Sequence, residues 1–157
     1  MRGPIARWMV VTSVAAAASF RAQIPEFPHN THMAAGLQCR DCHTGVESRA
    51  AAGIPSVRKC MLCHARIGAG RPGVEALRKL AADRREAPWQ RIYRFQPAAQ
   101  VKFVHAAHTR AGIECRTCHG AVEQMTVVRP VIRHTMGSCL TCHRRRGAST
   151  ECVTCHL

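Results

Sequence analysis

Ten cysteines fall into five pairs spaced C-x-x-C: Cys39/Cys42, Cys60/Cys63, Cys115/Cys118, Cys139/Cys142 and Cys152/Cys155. None is left over, and each pair is followed at once by a histidine: His43, His64, His119, His143 and His156. Two thiols at this spacing can add across the two vinyl groups of a porphyrin. The next residue then lies under the ring, where its imidazole can bind iron. One isolated C-x-x-C reads equally well as half a zinc site or a redox dithiol. With 10 histidines in 157 residues, five consecutive matches by chance come to about one in a million. A disulfide framework is a poor account, because adjacent pairs closing on themselves would staple very little chain. The pattern implies five covalent c-type haems.

Five further histidines, His29, His32, His105, His108 and His134, bring the total to two per iron with none over. Four of them form a repeated H-x-x-H. They are the candidate distal ligands, since axial-ligand identity is how a protein sets haem chemistry. Met33, Met61, Met125 and Met136 also lie near the motifs and are competing thioether ligands. With enough histidines present, they are read as packing against porphyrin.

The elements that position these residues must be economical. Five haems leave fewer than 32 residues of chain for each, and aromatic residues are only 4%. Such a chain cannot build an ordinary apolar core, so the porphyrins must be the core. The expected fold is mostly irregular with small α-helices and little β, and unfolded without haem. Short helical turns are expected at each attachment motif. Val74 to Glu86 is rich in helix formers, with apolar residues at helical spacing, and is expected to be one free-standing helix stopped by Pro88. Residues 89 to 100 should run extended, with Trp89, Ile92, Tyr93 and Phe95 covering a haem face. Val101–Val104 and Thr126–Val128 could pair as a small hairpin.

An internal duplication organises the chain. Phe27, His29, His32, Gly36, Cys39, Cys42, His43, Val46 and Glu47 recur 76 residues later. Their counterparts are Phe103, His105, His108, Gly112, Cys115, Cys118, His119, Val122 and Glu123. The halves then differ by a three-residue insertion before Cys139. The expected plan is a two-haem module at 23–66, a linker with a helix at 67–100, and a three-haem module at 101–157. Residues 1–22 read as a signal peptide: Arg2 and Arg7 precede an uncharged stretch from Trp8 to Phe20 that ends in small residues. An uncleaved N-terminal anchor is the alternative, although the stretch is short for a span. Either way the folded part is delivered to the periplasmic side. Reduced thiols there are consumed by haem, so exported disulfides are not implied.

Net charge is +14, and 20 of the 23 basic residues are arginine. Nucleic acid is not implied. Haem propionates lower the charge to about +9 with five ferric haems, or about +4 when they are ferrous. Arginine pairs bidentately with carboxylates, so many of these residues should be propionate partners. Arg144-Arg145-Arg146 is the candidate docking face for an acidic redox protein; a solvated loop is the alternative.

The second half, from Lys102-Phe103-Val104-His105-Ala106-Ala107-His108 to Cys155-His156, resembles the small class III periplasmic cytochromes. Their pattern is F-x-H-x-x-H, a first C-x-x-C-H, a lone histidine before the second, and a third close behind. The resemblance implies that His105 serves the Cys115/Cys118 haem, His108 the Cys139/Cys142 haem and His134 the Cys152/Cys155 haem. By the repeat, His29 would serve the Cys39/Cys42 haem and His32 the Cys60/Cys63 haem. The whole exported chain also resembles the pentahaem subunit of alternative complex III, a quinol-oxidising respiratory assembly. That likeness rests on Ala52-Gly53-Ile54-Pro55-Ser56-Val57 before Cys60-Met61-Leu62-Cys63-His64, on Pro88-Trp89 and on His119-Gly120.

These readings point to an electron carrier rather than an enzyme. Its partners would be redox proteins, including a membrane quinol-oxidising complex, with any membrane association through a partner or an uncleaved N-terminus. The alternative is a multihaem reductase of a small oxyanion. That chemistry needs an iron with an open position, whereas all five motifs end in histidine and the ligand count closes.

Overall fold

The computed structural model describes residues 27–156. The expected export segment at 1–22 lies outside the described residues. Among the described residues, eight short α-helices are joined by irregular chain with two 3₁₀ turns, Pro97–Ala99 and Val122–Gln124. No β-strand occurs among the described residues. The H-x-x-H pairs ride on α1 (His29–Ala34) and α5 (His105–Arg110). The attachment motifs ride on α2 (Cys39–Cys42), α3 (Val57–His64), α6 (Cys115–His119), α7 (Met136–Arg146) and α8 (Cys152–Cys155). The remaining helix is α4 (Pro72–Ala82). Residues three apart on a helix share a face, so each helical turn presents both thiols of a motif to one side.

Local chemistry starts and stops these helices. Ser56 caps α3 by accepting from the Lys59 amide. On α7 the Thr135 hydroxyl accepts from the Ser138 amide at 3.1 Å, and Ser138 Oγ accepts from the Thr135 amide at 2.9 Å. Helix α7 ends at Gly147, where φ is +63°. Its last turn carries Arg144, Arg145 and Arg146, on the helix end that favours positive charge.

Three expectations about elements need correction. Helix α4 starts two residues early, because Pro72 suits the first helical turn. It ends four residues early, where Arg84 takes a left-handed φ of +52°. It is also not free-standing, because it packs on α3. Val57, Val74 and Leu80 are buried there, Arg78 grips the His64 carbonyl through Nε (3.1 Å) and Nη2 (3.0 Å), and Glu86 accepts from the Val57 amide at 2.7 Å. Finally, the hairpin does not form. Val101 bridges His156, and the Lys102 amide donates to the Cys155 carbonyl at 2.8 Å. Met125 and Thr126 instead meet Asn30 of α1. The first segment is thus held by the C-terminal attachment turn and the second by α1, not by each other.

Apolar burial is slight. Among the described residues the buried hydrophobic side chains are Val57, Val74, Leu80 and Ala106, and no large side chain is fully enclosed. Apolar groups beside the motifs face outward instead: Leu62 is 70% exposed, Val153 79% and Met136 64%.

Candidate haem-binding sites

No disulfide joins any of the ten cysteines, and each is exposed or half-buried. No three His, Cys, Asp or Glu side chains among the described residues converge as a zinc site requires. Burial pushes the Cys42, Cys60 and Cys118 thiols up; Cys39 rises through burial and then through the neighbouring Cys115 thiol.

The ten histidines are all half-buried. Seven of them donate from Nδ1 to a main-chain carbonyl. Proximal His43 bonds Gly53 (2.7 Å), His64 bonds Ile67 (3.3 Å), His143 bonds Ser149 (2.6 Å) and His156 bonds Ala99 (2.7 Å). Among the distal candidates, His32 bonds Pro28 (2.9 Å), His105 bonds Ala50 (2.8 Å) and His108 bonds Val104 (2.9 Å). A carbonyl can only accept, so the proton sits on Nδ1 and the neutral ring presents the Nε2 lone pair. This is the state a metal requires, and the bond fixes the ring's aim. The residue types of the motifs gave no sign of these acceptors, because any residue supplies a carbonyl.

Two imidazoles that share one iron at about 2.0 Å each hold their ring centroids about 6.2 Å apart. His32 and His64 lie 6.0 Å apart, His108 and His143 6.1 Å, and His105 and His119 6.4 Å with ring planes parallel to within 2°. Each pair joins a distal candidate to a motif histidine, and the residues present fit the group. His29 lies near His43, and burial followed by that neighbour lowers its basicity. Its Nδ1 is buried without a hydrogen-bond partner. His119 is also held below the ordinary histidine value, by burial and then by His134, His105 and His43.

His134 is placed differently. Its Nε2 donates to the Cys118 carbonyl at 2.6 Å, and its ring lies 6.0 Å from that of His119. Tyr93 stacks on it at 4.7 Å and meets His119 edge-on at 4.8 Å. Among the described residues no ring contact joins His134 to His156. Of the other aromatic residues expected over a haem face, Phe95 leans on Phe103 and Trp89 meets Phe27. Phe27 and Phe103 in turn stack on His32 (4.2 Å) and His108 (4.4 Å). Each repeat thus holds its second H-x-x-H histidine between a phenyl ring and a carbonyl.

Residues 101–157 match the family model described as cytochrome c7 and related cytochrome c. Over 95 residues, 59% of the chain, the sequence is 34% identical to the menaquinone reductase multihaem cytochrome c subunit of Nitratidesulfovibrio vulgaris. The match spans 43% of that relative's length, so the chain corresponds to less than half of it. Segment 101–157 is thus similar to cytochrome c7 and related cytochromes c, and a larger part of the chain is similar to a multihaem cytochrome c subunit.

Proposed function

We propose that this chain is an exported, periplasmic electron-transfer protein with five bis-histidine haems, and that it works beside a membrane quinol-oxidising complex. The observation that carries this reading is the carbonyl-anchored imidazoles: His32, His108 and His105 bond carbonyls through Nδ1 and lie from His64, His143 and His119 at the separation one iron requires, whereas His134, equally near His119, has its Nε2 turned to the Cys118 carbonyl. Each haem supplies a one-electron couple between ferric and ferrous iron. The chain's own part is to hold both axial positions closed, so that no small molecule reaches the metal. Cys39, Cys42, Cys60, Cys63, Cys115, Cys118, Cys139, Cys142, Cys152 and Cys155 tether the groups. His43, His64, His119, His143 and His156 ligate from one side; His29, His32, His105, His108 and His134 ligate from the other. The name of the similar menaquinone reductase subunit and the resemblance to the alternative complex III subunit both support a quinone-linked setting.

Intact mass and haem quantitation should give five haems per chain. Electron paramagnetic resonance should show only low-spin ferric iron, and the untreated reduced protein should not bind carbon monoxide. A specific observation favours a second reading, of a small-molecule reductase at the Cys152/Cys155 site alone. His134 is turned to the Cys118 carbonyl, and among the described residues no histidine ring faces that of His156. One stoichiometric high-spin haem would support that reading and overturn the pure relay.

A further inference from the structure

The two halves bond to each other reciprocally. The Asn30 amide on α1 donates to the Met125 carbonyl at 3.1 Å, and the Ala106 amide on α5 donates to the Arg49 carbonyl at 3.1 Å. Asn30 and Ala106 are counterparts at the 76-residue offset, and so are Arg49 and Met125. Each half therefore gives the other the same bond that it receives. The neighbouring contacts follow the same exchange. Helix α1 packs on the Val122–Gln124 turn. Helix α5 meets the counterpart loop: Thr109 Oγ1 donates to the Val46 carbonyl at 2.8 Å, and Arg110 Nη2 to the Glu47 carbonyl at 3.2 Å. Within each half the ion pair Arg40–Glu47 is matched by Arg116–Glu123.

Reciprocal contact between equivalent surfaces is the mark of an isologous interface, which a two-fold axis generates between separate subunits. Here both surfaces belong to one chain. On such an axis a residue must meet its own counterpart, and the Cys39 thiol lies against the Cys115 thiol. These are the first attachment cysteines of the two modules.

We infer that the modules dock about an internal two-fold axis that passes between the Cys39/Cys42 and Cys115/Cys118 turns, making the haems on these two turns immediate neighbours. This rests on the haem-attachment reading of the motifs. The second attachment site of each module is then outboard. Cys60 and Cys63 lie by Cys42, and Cys139 and Cys142 lie by Cys118. The spatial order of sites is Cys60/Cys63, Cys39/Cys42, Cys115/Cys118, Cys139/Cys142, which is not the order along the chain. The modules communicate through their two inner sites, and the Cys60/Cys63 site is a terminus.

The test uses the full-length haem-loaded protein, fully reduced and diamagnetic. Each haem is assigned from nuclear Overhauser contacts between its thioether groups and its own cysteine β-protons, so no variant is needed. Cross-peaks are expected between the haem methyl or meso protons of the Cys39/Cys42 and Cys115/Cys118 groups. None is expected from the Cys60/Cys63 haem to either Cys115/Cys118 or Cys139/Cys142. Contact between the modules through the Cys60/Cys63 haem, or no cross-peak between the two inner haems, overturns the axis. A separate failure, fewer than five haems by intact mass, would count against the attachment reading itself, so the two failures are distinguishable.

Discussion

Gly45→Ala perturbs the loop that aims His43, and its cost follows from the backbone around it. Gly45 is buried two residues after His43. A Cβ at this position would overlap the Ala51 carbonyl oxygen and lie 2.9 Å from that of Ala52. Both neighbours are main-chain atoms, so no rotamer change relieves them. The 51–53 segment must retreat by several tenths of an ångström. It holds the acceptors for the Gly45 amide (2.9 Å, Ala52) and for His43 Nδ1 (2.7 Å, Gly53). The Ala50 carbonyl just before it receives both the amide and Nδ1 of His105. At about 1 kcal/mol for each bond weakened, the loss is about 2–4 kcal/mol. Gly53→Ala is the control. Its φ is +86° with open space around it, so it adds only backbone strain, about 1–2 kcal/mol. The assay is denaturant unfolding of the haem-loaded protein, followed by haem absorbance, with resonances of the Cys39/Cys42 haem as a local probe. A Gly45→Ala loss below that of Gly53→Ala, with those resonances unmoved, refutes the reasoning.

His32→Ala should open one iron, that of Cys60/Cys63, so that carbon monoxide binds one haem per chain and the difference spectrum reaches about one fifth of the total. His134→Ala should likewise open one iron and raise its potential, at Cys152/Cys155, by the carry-over from the class III pattern; opening at Cys139/Cys142, or no opening, rejects that pairing.

The cysteine–histidine motifs are legible in the sequence because haem attachment would constrain residue type and spacing together. A helical turn at each C-x-x-C follows from two thiols needing one face, and all five motifs are helical. Sparse burial followed equally directly from a short chain with few aromatic residues. Less could be read where backbone atoms decide. The carbonyls of Gly53, Ile67, Ser149 and Ala99 that orient the proximal rings have no side-chain signature. Helix α4 reads as amphipathic, but its docking on α3 through Arg78 depends on where the His64 carbonyl falls. The hairpin failed because β-forming residues at Val101–Val104 and Thr126–Val128 say nothing about which backbone they will meet. His134 has the same limitation, since its position before Cys139 does not disclose the bond to Cys118.

The reliance on main-chain acceptors bears on how such a chain can vary over evolution. The anchoring carbonyl lies ten residues from His43, three from His64, six from His143 and fifty-seven from His156. Substitution at an acceptor position leaves the acceptor in place, whereas adding or removing one residue within the short loops carries it away from its imidazole. Outside the histidines and Gly45, Gly53 and Gly147, the segments 43–53, 64–67 and 143–149 should therefore accept substitution more readily than a change in length. Lengthening is cheapest in 84–100, where the only such acceptor is Ala99 near its far end.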